Sequence, residues 1–283
     1  MTGFLTLAST QFVVVGLVAV SFHVLNNKLN AVSESLRRLD SKFDDQRWAI
    51  IAGAIDQLRR IEREGKASSI WNDLMGVRKE LSAAAAYHYR RLTPLLDEFE
   101  KPYADFNLQK FRGESTAAIA DLVALAMSRS SLGRACLMEE AHKSAHHEMV
   151  QAQEEVHRAV SAFAKGLLHY TVKQNKRWFG KSDHARLVEH VGTSIDSLGS
   201  IGALEALAVE LGRPAAWYDS SLSLAIRSAW KDTHIADDAE FLLNLDSEAS
   251  AREASYRVCL ENHLSPDSYL EFISQQRLPS NPE

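Results

Sequence analysis

Residues 17–52, LVAVSFHVLNNKLNAVSESLRRLDSKFDDQRWAIIA, contain neither glycine nor proline. Both residues are poor in helix interiors, and antiparallel sheets need turn residues every few positions, so this uninterrupted stretch reads as helix. Its character changes along its length. Upstream it belongs to an uncharged run from Gly3 to Leu25, and no charged side chain occurs before Lys28. Downstream, Leu29, Val32, Leu36, Leu39 and Phe43 recur at alternating steps of three and four, and Trp48, Ile51, Ile55 and Leu58 resume the pattern after a shift in phase. Arg37, Arg38, Asp40, Lys42, Asp44 and Asp45 fall mostly between these positions. Together the two parts predict a membrane helix that continues as a coiled-coil-like helix to about Arg63. Unbroken, it would reach roughly 90 Å. Gly65, followed by Lys66-Ala67-Ser68-Ser69, supplies the stop and the next cap.

The run from Gly3 to Leu25, with Phe12–Leu25 as its most apolar part, would span roughly 35 Å as a helix, enough for a hydrocarbon core. Thr6, Ser9, Thr10, Gln11, Ser21 and His23 temper its apolarity. A signal peptide would need a basic segment before the run, and none is present; no small-residue cleavage site follows cleanly. An interfacial helix would carry a strongly charged face, and a buried core helix rarely needs so long an uncharged run. Lys28, Arg37, Arg38 and Lys42 all follow the run, which places the N-terminus outside and the rest of the chain in the cytoplasm by the positive-inside rule. Within the run, Thr2, Ser9, Gly16, His23 and Asn30 fall at seven-residue spacing, one small or polar stripe along the helix. Such a stripe favours close helix–helix packing, or the lining of a wet lumen in a ring of copies, so Ser9, Gly16 and His23 are the candidate membrane or pore-lining residues.

The rest of the chain continues the helical theme. Only 13 Gly and 6 Pro punctuate 283 residues, while 46% are apolar and 24% charged, the balance of a folded protein. The spacing predicts helices over 69–91, 114–128, 135–178, 184–195 and 199–211. Pro94 would start a new turn, Gly180 would cap a helix end, and Ser265-Pro266-Asp267 would open a last helix. The expected organisation is all-α: an anchor over 1–27, a long-helix bundle over 28–181 and an acidic helical region over 182–283. That last region carries 7 basic and 17 acidic side chains, against 25 and 20 before it, so it would avoid anionic surfaces. Two cysteines, Cys136 and Cys259, and no Asn-X-Ser/Thr site fit a reducing compartment.

Few residues carry an evident chemistry. Glu139–His142 and Glu154–His157 are Glu-x-x-His pairs of the kind that di-iron bundles use. Both fall on one predicted helix, roughly 22 Å apart, and so cannot share a metal; a solvated charged face is the simpler reading. His142 and His146, one turn apart, could pinch a single ion. His147-Glu148 lacks the second histidine of a metalloprotease motif, since Gln151 stands there. The stretch 173–181, KQNKRWFGK, makes Lys173, Lys176, Arg177 and Trp178 candidate contacts to lipid head groups. Gly180-Lys181-Ser182 ends like a phosphate-binding loop, but Asn175 stands where its first glycine belongs and no strand precedes it. No nucleophile elbow or Cys–His pair stands out. The expectation is a protein that is not an enzyme, with no cofactor or metal and nucleic acid an unlikely class of partner. Two functions fit: a homo-oligomer that gathers through Leu36, Leu39, Phe43 and Trp48 and perturbs the membrane, or an anchored scaffold or sensor whose C-terminal region binds a protein.

Overall fold

The computed structural model describes residues 45–65, 69–175, 181–212 and 235–263. Among them every regular element is helical and no strand occurs. The helices are α1 (Asp45–Glu64), α2 (Leu74–Phe99) after a 3-10 turn at Ser69–Asp73, α3 (Leu108–Met138), α4 (His142–Asn175), α5 (Lys181–Gly212) and α6 (Ile235–Asn262). No described helix is long and apolar enough to cross a membrane. The uncharged run over 3–25, and with it the anchor 1–27, lies outside the described residues, as do the start expected at Ser265 and the cap expected at Gly180.

The chain forms two compact units. The first gathers described residues up to His88, Val123–Glu154 and Glu248 onward; the second gathers Tyr89–Leu122 and Glu155–Ser247. In the first unit, α1 buries Ile51, Ala54, Leu58 and Ile61, one face of a 3.6-residue period. Ala54, Leu58 and Ile61 pack in one cluster with Leu74, Val77 and Leu81 of α2 and Leu132, Ala135 and Met138 of α3. Each large aliphatic side chain so buried contributes about 1.5–3 kcal/mol. Gly65 ends α1 as expected: at φ 75° it takes the left-handed conformation that glycine adopts freely, and its N–H donates to the Ile61 carbonyl at 2.9 Å.

Helix α2 runs past Pro94 to Phe99, where the sequence predicted an end near Arg91. An interior proline costs about 3 kcal/mol. The burial of Leu92, Leu96 and Phe99 on one face offsets that cost. Helix α3 is longer than the predicted 114–128. Asn107 caps it, its Oδ1 accepting the Lys110 N–H at 3.0 Å. Residues 118–125 are buried without interruption, so this part of α3 is enclosed on every side.

The helix predicted over 135–178 breaks at 139–141. Glu140 has φ 60°, its N–H bonds the Leu137 carbonyl at 2.8 Å, and the Ala141 N–H reaches back to the Cys136 carbonyl at 2.9 Å. This pair of bonds is a Schellman cap, normally signalled by a glycine that this sequence lacks. The predicted helices 184–195 and 199–211 correspond to two helical stretches of α5, divided by a kink at Gly199 (φ 73°, ψ 169°).

Candidate functional site

Most residues singled out from the sequence lie outside the described residues: Ser9, Gly16 and His23 of the membrane stripe, Leu36, Leu39 and Phe43 of the seam, and Lys176, Arg177 and Trp178 of the lipid patch. Two are placed. Trp48 is half-buried on the first turn of α1, one turn upstream of Ile51. Lys173 sits near the end of α4 in the second unit, where its ammonium donates to the Phe106 carbonyl at 2.5 Å and lies 5.0 Å from the centre of the Tyr103 ring.

The charged face read from the sequence is in part a set of inter-helix ion pairs, while Glu154 and His157 are exposed. Glu139 sits in the α3–α4 turn, outside α4, and accepts from Arg78 of α2. Arg129 of α3 reaches Glu148 of α4 at 3.0 Å, and the Arg134 Nε reaches Glu62 of α1 at 3.0 Å. His146 Nε2 is 2.8 Å from Glu253 Oε1 of α6. In the second unit His157 Nδ1 is 3.1 Å from Asp246 Oδ1, again joining α4 to α6. Because Glu139 leaves the helix for the turn, the two Glu-x-x-His pairs do not share one helix, and the described partners of Glu139 and His157 are different. Among the described residues no group of three or more His, Cys, Asp or Glu side chains is arranged to hold a metal ion.

The second unit holds a cluster that spacing alone did not reveal. Phe99, Phe106, Phe111, Phe163 and Tyr170 are buried, with Phe111 4.7 Å from Phe99 and 5.4 Å from Phe106 between ring centres. His169 lies edge-on to Tyr103 at 5.7 Å and to Phe106 at 5.4 Å. It is 5% exposed, and its Nδ1 has no hydrogen-bond partner. Burial, with Lys165 and Lys173 adding repulsion, pushes its pKa down to about 4, so it is neutral at physiological pH. The Tyr103 hydroxyl is 3.2 Å from His184 Nε2 of α5, and burial pushes the Tyr103 pKa up.

The cations of this cluster hold a loop. Lys165 donates to the Glu100 carbonyl at 2.7 Å and Lys173 to that of Phe106, so two ammonium groups about two helical turns apart pin the two ends of the 100–107 connection onto α4. Charged donors to carbonyls are worth more than neutral ones, about 1.5–3 kcal/mol. The arrangement locks a loop. No family model, no curated protein and no solved structure matches this chain.

Proposed function

We propose that this chain is a membrane-anchored helical module that presents its C-terminal region to a protein partner. The observation that carries this reading is the burial of α1 within its own chain: Ile51 and Leu58 of the resumed apolar repeat, with Ala54 and Ile61, serve as core. A helix that leaves an anchor and ends inside a folded body couples that body to the membrane. The excess of acidic side chains over 182–283 favours a partner with a basic surface.

Three measurements test it. Full-length protein should sediment with membranes and leave them only in detergent; recovery wholly in the soluble extract would end the anchored reading. In mild detergent it should run as a monomer. An unrelated single-span anchor should replace residues 1–27 without loss of the proteins captured through the body.

A second reading is a membrane-perturbing oligomer. It is favoured by the upstream end of α1, where Trp48 is half-buried and Ile50 is 43% exposed, so apolar surface remains where Leu36, Leu39 and Phe43 would extend a seam between copies. On this reading the detergent-extracted protein is a defined ring, and liposomes leak dye with wild type but stay sealed with the Gly16→Leu, His23→Leu variant.

A further inference from the structure

The two cysteines of this sequence stand on different helices, yet both belong to one buried cluster of the first unit. Cys136 is in the last turn of α3 and Cys259 in the last turn of α6. Both are free thiols in one buried cluster with Leu137, Ala145, Met149 and Tyr256, against which Ala141 and Val258 also pack. Tyr256 lies close enough to both that either thiolate would oppose ionisation of its phenol. We propose that Cys136 and Cys259 are an oxidation site, converted by a peroxide into one intramolecular disulfide that fastens the end of α6 to the end of α3.

The chemistry balances with the peroxide as the sole oxidant. One thiolate attacks the O–O bond, gaining the oxygen as a sulfenic acid while the remaining oxygen leaves as water or an alcohol. The second thiol attacks that sulfur, forms the S–S bond and releases water. Two thiols lose two electrons in total, and the peroxide takes both.

The fold keeps this site silent at rest. Cys136 and Cys259 are 1% and 2% exposed, and burial pushes both thiols up, Cys259 to about 11, so little thiolate meets the oxidant. Cys259 nevertheless sits in the final turn of α6. The last carbonyls of a helix lack partners within it, and final turns fray. Upstream, Glu253 is held by His146 and Arg257, so fraying of the last turn need not undock the rest of α6. The site therefore senses peroxide through local opening of one helix end, and the product closes the opening.

The test uses full-length protein in detergent, treated with hydrogen peroxide while folded and then unfolded in the presence of N-ethylmaleimide. Untreated protein takes up two maleimides. Treated protein is expected to take up none, to be lighter by two hydrogens and to remain a monomer. It should also yield one dithiothreitol-sensitive pair of tryptic peptides, one carrying Cys136 and the other Cys259. Cys136→Ala and Cys259→Ala should each abolish the linked peptide pair and leave the remaining cysteine as a thiol or a sulfenic acid. Two maleimides on treated wild type, sulfinic acid at either cysteine or disulfide-linked dimers in place of the internal pair would overturn the proposal. The wild-type masses decide the matter even where a variant folds poorly.

Discussion

His146 on α4 and Glu253 on α6 meet at 2.8 Å, and Glu253 also accepts from Arg257 one turn further on. Glu253 is 7% exposed, and the hydrogen bonds from Arg257 and His146 lower its pKa although burial alone would raise it. Glu253→Ala leaves His146 and Arg257 without this acceptor and is expected to destabilise the protein by about 1–3 kcal/mol in urea unfolding. Since the folded carboxyl is the stronger acid, its contribution is complete above the ordinary carboxylate pKa and fades as pH falls through the lower folded value. Glu253→Gln should therefore flatten stability against pH below about 4.5, the ordinary value.

His169 acts in a different pH window. The unfolded histidine takes a proton near pH 6.5 and the folded one only near pH 4. Stability is therefore unaffected by this group above 6.5, falls as pH drops from 6.5 toward 4, and falls no further below that through this residue. The loss amounts to about 3 kcal/mol. His169→Phe keeps a ring against Tyr103 and Phe106 without a titrating nitrogen, so unfolding free energies across this range should lose most of the slope.

Two glycines should respond in opposite senses to alanine. A Cβ at Gly53 meets nothing within 4 Å, and the exposed helix position should gain about 0.5–1 kcal/mol. A Cβ at Gly166 would lie 2.4 Å from Cε2 and 3.0 Å from Cδ2 of Phe111, whose ring is hemmed in by Phe99, Phe106 and Tyr170. Gly166→Ala is expected to cost about 1–3 kcal/mol, read as a lower denaturation midpoint with unchanged slope.

Glu140 holds the left-handed position of the α3–α4 turn at φ 60°, a conformation that costs a residue with a Cβ about 1–2 kcal/mol. Glu140→Gly should relieve it and raise stability by about 1 kcal/mol, less whatever the freer unfolded chain takes back. Thermal unfolding at fixed pH checks the sign.

The all-helical character was legible in the scarcity of glycine and proline and in the 3,4 spacing, and one punctuation mark, Gly65, stood where the sequence placed it. The errors have physical causes. Pro94 looked like a boundary because local strain was weighed without the burial of Leu92, Leu96 and Phe99 that overrides it. The 139–141 turn was invisible because Glu140, rather than glycine, fills the cap. Of the candidate site, spacing flagged Lys173 but not its carbonyl partner. It found nothing of Tyr103, His169 and His184, or of the cysteine pair, since those residues come from separate helices and meet only once the chain has folded.

The chain passes from one compact unit to the other four times, between residues 88 and 89, 122 and 123, 154 and 155, and 247 and 248. Neither half is a contiguous stretch of polypeptide. No single truncation can release either unit whole. A gene fragment ending near residue 120 or 155 would strand apolar helix faces without their mates.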